Sequence, residues 1–183
     1  MPHFTRAELE SFRDAEVPDL IGPGLRLLFV GINPGLWTAA TQTHFAHPAN
    51  RFYPALLRAG IIEQPIDPAA GMTDDDRATL VARGIGITNL VARTTATAAE
   101  LTTHELRAGG RTLVATAERY RPRQVAFLGI STYRVAFASP KVDIGLQAEP
   151  IAGARVWVLP NPSGLNASWT LPRLAAAYAA LRD

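Results

Sequence analysis

Four short apolar runs rich in branched residues stand out along the chain: Leu25 to Val30, Ile85 to Val91, Gln124 to Leu128, and Arg155 to Leu159. Each predicts a buried strand. The stretches between them carry helical patterns, several with start signals that satisfy the first free N–H groups of a helix. Thr5 with Glu8 and Thr102 with Glu105 fit a capping box. Thr73 followed by Asp74, Asp75 and Asp76 puts an N-cap and negative charge at the positive end of a helix dipole. Leu113, Val114, Ala117 and Tyr120 recur at helical spacing, as do Leu171, Leu174, Ala175, Tyr178 and Leu181 after a Thr170 cap and Pro172. Both stripes are expected to face the core. Strands alternating with helices require crossover connections, so the fold class expected is α/β: a three-layer α/β/α sandwich around a central, mainly parallel sheet. In open sheets of this kind ligands bind beyond the carboxyl ends of the strands, which is where chemistry is to be sought.

Composition narrows the class. With 183 residues, 48% apolar and 19% charged, and a mean hydropathy of +0.06, the chain is globular, and disorder, coiled coil and collagen are excluded. Its length favours one domain with a core that needs no metal or disulfide. No apolar run approaches the roughly 18 residues that span a bilayer, and the first ten residues mix charges where a signal peptide would be apolar. A cytoplasmic location is expected. The absence of cysteine removes thiol nucleophiles, zinc ribbons and iron–sulfur clusters. Of the 18 basic residues, Lys141 alone is lysine, and the isoelectric point is 9.4. Arginine suits phosphate contact, but a GC-rich genome explains the same bias, so charge permits nucleic acid without demanding it.

Two loops at the expected ligand edge carry an Asn-Pro pair: Gly31-Ile32-Asn33-Pro34-Gly35-Leu36 after the first strand and Asn161-Pro162-Ser163-Gly164-Leu165-Asn166 after the last. The proline biases each Asn toward extended backbone, and the nearby glycine permits close approach. An amide on such a loop can orient a water but cannot take its proton, so a reaction here must need little base assistance. Between the loops lies Phe45-Ala46-His47-Pro48-Ala49-Asn50-Arg51-Phe52, ahead of a helix that Gly60 ends. Phe45 reads either as an aromatic that stacks on a base or as a core residue under a loop.

Other templates fail. No phosphate-binding loop or dinucleotide fingerprint occurs. Ser131 near a strand end lacks the second glycine of a nucleophile elbow and is expected to cap a helix. His44 and His47 have no third ligand at useful spacing, which argues against a metal. Arg107 and Arg111, flanking Gly109-Gly110, fit a phosphate contact or a solvated helix face equally well.

Five blocks, GINPGL, FAHPANRF, GIGITNLVARTT, ELRAGGRTL and WVLPNPSGL, in order and at compatible spacing, resemble the mismatch-specific uracil-DNA glycosylases, bacterial relatives of thymine-DNA glycosylase. The resemblance covers nearly the whole chain from Leu25 to Leu181. It implies a single glycosylase domain over residues 25–183, with residues 1–24 as a helical or loose extension. The implied activity is hydrolysis of the N-glycosidic bond of uracil and related damaged pyrimidines in double-stranded DNA, preferentially opposite guanine, after the nucleotide is flipped out of the stack. No cofactor is implied, and a monomer is expected. By motif, Asn33 positions the attacking water, and Asn161 stands where related enzymes have a histidine and donates to the departing base. Ile32 and Phe45 would contact the uracil edge, with Gly35, Thr38 and Ser163 also in the substrate-binding set. Gly164, Leu165 and Asn166 match the segment that enters the duplex, with Leu165 as the wedge. Two departures stand out. Ala167-Ser168-Trp169 replaces a basic residue common after the wedge, and Asn89 replaces a lysine as a pocket candidate.

Alternative readings are a broader-specificity uracil glycosylase that also takes single-stranded or U:A DNA, a non-catalytic DNA-binding relative, and an unrelated small-molecule hydrolase. The last would leave the wedge unexplained.

Overall fold

The computed structural model describes residues 4–182. A five-stranded sheet forms the middle layer in the order β2-β1-β3-β5-β4, from β1 (Leu27–Gly31), β2 (Ile85–Asn89), β3 (Gln124–Leu128), β4 (Gly145–Leu146) and β5 (Arg155–Leu159). The pairs β1/β2, β1/β3 and β3/β5 are parallel, and only β4/β5 is antiparallel. Helices cover both faces, as the sequence pattern requires.

Alternation along β1 shows why its run is apolar throughout. Leu27 and Phe29 join one core with residues of α3 (Phe52–Arg58), α4 (Asp74–Ala82) and α7 (Leu171–Ala179). Leu28 and Val30 join the other with residues of α5 (Thr103–Tyr120) and α6 (Ile130–Ala136). All four side chains are buried, and a strand covered on both faces loses its polar positions. The capping boxes at Thr5 and Thr102 form as expected, and the expected Thr73 cap is completed into a box by Asp76. The first opens α1 (Arg6–Glu10).

Several expectations shift. Strand β1 begins at Leu27, two residues later than the apolar run, because the Arg26 and Leu27 amides both turn to the Gly84 carbonyl. Strand β2 ends at Asn89, where its partner β1 ends: Leu90 donates to Gly31, the last residue of β1, and Val91 to Ile32 beyond it. Tyr120 is not core: it is the last residue of α5, exposed, with the Arg119 guanidinium 5.1 Å from its ring. Ser131 does not cap α6; Gly129 does, in a positive-φ conformation, and Ser131 is exposed within the first turn.

Residues 14–20 are laced to the sheet. Asp14 and Ala15 exchange backbone hydrogen bonds with Thr94, Thr88 donates to Asp19 at 2.7 Å, and Leu20 pairs with Ile87 in an antiparallel bridge. This segment covers the outer edge of β2, which would otherwise expose unpaired backbone groups. Among the described residues no helix is long and apolar enough to cross a membrane.

Candidate active site at the carboxyl edge of the sheet

The loop leaving β1 is stitched to the loop leaving β2. Leu90 and Val91 bond Gly31 and Ile32, and Thr95 donates to Pro34 and bridges Gly35. Asn33 is therefore held between two backbones. Its Nδ2 donates to the Thr95 hydroxyl at 2.7 Å and the Arg93 carbonyl at 2.9 Å, with Pro34 O at 3.2 Å. Thr95 in turn donates to Thr97 O at 2.8 Å, so its oxygen accepts from Asn33. Turning the amide over would set Oδ1 against two carbonyls, so the orientation is fixed by chemistry. Asn33 Oδ1 has no protein donor among the described residues, and Asn33 lines a cavity of about 110 Å³.

Arg93, whose carbonyl takes part, is anchored by Glu105 at 2.8 Å and Asp14 at 3.2 Å. The Arg93 guanidinium, with the Thr102 amide and hydroxyl, holds the Glu105 carboxyl down to about 2.

The cavity is closed by α2 (Leu36–Thr41) and by the 45–52 segment. Gly35, which caps α2, and the buried Thr38 within it line the cavity together with Phe45, His47 and Asn50 and with Asn89 from β2. Phe45 is packed in the core on one side only. It is half-buried, one face packed on Phe52 with centroids 4.1 Å apart and planes 33° apart, while the ring also lines the cavity. Phe52 is wedged edge-on to Phe29 and Tyr53, so the aromatic stack beneath Phe45 is rigid. The Phe45 backbone has φ 58°, a strained geometry for a bulky residue and of the kind found at ligand sites.

Asn89 is oriented by a buried histidine. His44 is buried, its Nε2 lies 2.9 Å from Pro18 O and its Nδ1 lies 3.1 Å from Asn89 Nδ2. A carbonyl only accepts, so Nε2 carries the proton; burial lowers the His44 pKa and keeps the ring neutral, so Nδ1 accepts from Asn89. The Asn89 amide nitrogen is thus engaged, and Oδ1 is the atom left to face a ligand. Glycine is required at 31 because a Cβ there would lie 2.4 Å from Asn89 Oδ1 and 3.1 Å from the Phe45 ring.

The other Asn-Pro loop borders a wider groove of about 640 Å³, lined by Ile32, Asn161, Ser163, Leu165 and Asn166 among others. Ile32 joins the two hollows, being next to Asn33 in the chain. Asn161 Oδ1 accepts from the Ser163 amide at 2.9 Å, which leaves its Nδ2 as a donor toward the groove. Asn166 Nδ2 closes the turn on Asn161 O at 3.0 Å. Leu165 is 92% exposed, against a buried-leucine reading. Gly164 serves close approach to protein: a Cβ there would come within 2.7 Å of Ala49 O.

Sequence reasoning did not single out Thr95, although it falls inside the GIGITNLVARTT block. A hydroxyl two residues beyond an arginine carries no local signal, and its role appears only when the loops after β1 and β2 are paired.

A clamped amide beside a small cavity, a half-buried aromatic ring and a projecting leucine thus share the carboxyl edge of an α/β/α sheet. The chain belongs to the uracil DNA glycosylase superfamily, whose family model matches residues 18–183. Its fold is similar to that of a candidate uracil DNA glycosylase from Methanosarcina acetivorans solved by NMR in solution, with TM-score 0.60 and 16% identity over 92% of this chain and 98% of that one.

Proposed function

We propose that this protein is a monofunctional, monomeric glycosylase, free of cofactors, that hydrolyses the N-glycosidic bond of uracil and related damaged pyrimidines in duplex DNA, preferentially in G:U mismatches. The observation that carries the reading is the Asn33 amide, with its nitrogen tied down on three sides and its oxygen left to a cavity. A carboxamide oxygen accepts a hydrogen bond from a water and so aims the water's lone pair; it does not deprotonate it. That suffices when bond cleavage runs ahead of attack, because the transition state is then a sugar cation beside a departing uracil anion. Donors aimed at the anion matter more than a base, each typically worth about 3 kcal/mol, and Asn161 Nδ2 is the donor assigned here. Phe45 stacks on the flipped base, Asn89 Oδ1 accepts from uracil N3–H, and Gly35, Thr38 and the Ile32 backbone shape the pocket. Ser163 contacts the strand, and Leu165, between Gly164 and Asn166, fills the gap left by the base. Residues 25–183 act as one catalytic domain, with residues 1–24 as an extension, of which 14–20 lie along the β2 edge.

A second reading, broader specificity that includes U:A and single-stranded uracil, is favoured by one observation. The basic side chain nearest the wedge in the chain, Arg173, is stacked 4.6 Å over Trp169 and donates to Ser168 O, so it is not presented to an opposing guanine. Labelled duplexes with U opposite G, U opposite A and T opposite G, and single-stranded U, treated with enzyme and then alkali, separate the readings. Strongest cleavage at G:U supports mismatch preference. Equal cleavage of all uracil substrates supports the broader enzyme, and binding without cleavage leaves a DNA-binding relative.

A further inference from the structure

The loop that carries Leu165 has no regular secondary structure, yet its carbonyls converge on one side chain. Arg51 Nη2 donates to Ser163 O at 2.5 Å and Asn166 O at 3.0 Å, and its Nη1 donates to Trp169 O at 2.5 Å. The Arg51 amide adds a bond to Pro162 O at 3.0 Å. Among the described residues no carboxylate pairs with this guanidinium, and its Nε is buried without an acceptor. Its charge is therefore balanced by carbonyl dipoles of a single loop. A planar fork with several fixed donors can meet divergent carbonyls in this way, whereas a lysine ammonium cannot reach them together. Gly164 lies hard against Ala49, as its absent Cβ shows, so the wedge turn is also seated sterically on the residues that precede Arg51. With the carbonyls of 163, 166 and 169 turned inward, Leu165 between them projects into solvent.

We propose that Arg51 is a positioning residue for strand insertion: it holds the 162–169 loop in its inserting shape before DNA is met, and ties it to the chain segment that bears Phe45. The inference rests on the glycosylase reading for its functional consequence, but its structural part stands independently. A wedge already ordered does not lose conformational freedom on entering the duplex, so preorganisation favours the flipped state. Phe45 and Arg51 are six residues apart on one segment, Phe45 packed on Phe52 and Arg51 locked to the loop, so base stacking and gap filling share a support.

The test compares wild type, Arg51→Met, Arg51→Lys and Leu165→Ala. Hydrogen exchange of the free proteins is read first. Both Arg51 variants are expected to exchange the amides of 163–169 at least about tenfold faster, with β1 and β3 unchanged. Flipping is then followed by 2-aminopurine fluorescence in a duplex carrying a non-hydrolysable 2′-fluoro-2′-deoxyuridine opposite guanine. The flipped fraction is expected to fall about tenfold in Arg51→Met, and Arg51→Met/Leu165→Ala is expected to be no worse than the poorer single variant, because both act through one insertion. Unchanged exchange in 163–169, acceleration spread through the sheet, or effects of Arg51 and Leu165 that multiply would overturn the proposal. Should Arg51→Met not fold, Arg51→Lys decides by the same measurements. A wild type that excises uracil from no substrate would instead remove the glycosylase reading, while the exchange data still judge the clamp.

Discussion

Replacing Thr95 with valine removes one oxygen and keeps the shape of a side chain that is 1% exposed. The Asn33 amide then loses its shortest bond, 2.7 Å, and keeps Arg93 O at 2.9 Å and Pro34 O at 3.2 Å. Losing one neutral hydrogen bond removes about 0.5–1.5 kcal/mol, and a buried N–H left without a partner costs about 1–3 kcal/mol. Because Pro34 O, already 3.2 Å away, can take up the freed hydrogen, the cost falls where the two ranges overlap, about 1–1.5 kcal/mol. About 1.4 kcal/mol of lost orientation corresponds to a tenfold slower chemical step. The assay is single-turnover excision of uracil from a G:U duplex at saturating enzyme, which reads chemistry and not product release. Thr95→Val should be about tenfold slower with unchanged DNA affinity, and Thr95→Ser, which restores the hydroxyl, should fall within about threefold of wild type. The valine also removes the bond from the Thr95 hydroxyl to Thr97 O, but that exposed carbonyl keeps the Glu100 amide at 3.2 Å, so the midpoint of thermal unfolding should drop by no more than a few degrees. A Thr95→Val enzyme as fast as wild type would refute the argument that the Asn33 nitrogen is held to free its oxygen.

Three further outcomes follow from the same geometry. Leu165→Ala should leave the unfolding midpoint unchanged, since a side chain 92% exposed packs on nothing, yet should lower the flipped fraction in a mismatch duplex; a stability loss without a flipping defect would restore the buried-leucine reading. Asn161→Ala should slow single-turnover excision by on the order of a hundredfold, the usual loss for one donor to a developing anion; equal rates would remove Asn161 from the chemistry. His44 has its pKa lowered by burial, so the unfolded chain binds its proton first as pH falls from 6.5 and stability declines below that value. Its protonated Nδ1 would also face the Asn89 amide hydrogens. His44→Gln should flatten the unfolding midpoint between pH 7 and pH 5; an identical slope would place the acid sensitivity elsewhere.

Much of this architecture was legible because the sheet is buried on both faces. β3 and β5 match their apolar runs residue for residue, since most of their positions are buried between two helical layers. β4 was not legible: two residues, one of them Gly145 at φ 125°, offer no alternation. Residues 14–20 were missed for a related reason, being held by backbone pairing and by Asp19 on Thr88, which leave no hydrophobic period. At the site, the loops were found from their Asn-Pro and glycine signatures, while the supports of those loops were not. Thr95, His44 and Arg51 act across separations of 62, 45 and 112 residues, and such pairings exist only once the strands are in register. Phe45 was legible as an aromatic but not as one that packs on Phe52 and also lines the cavity.

The most direct test is single-turnover excision of uracil from a G:U duplex by wild type and Asn33→Ala, with circular dichroism and DNA binding confirming that the variant is folded and occupied. The account predicts a rate at least about a hundredfold lower, the scale of loss when a reacting group is no longer held in place, with affinity retained. A folded, DNA-bound Asn33→Ala protein that releases uracil at the wild-type rate would contradict it.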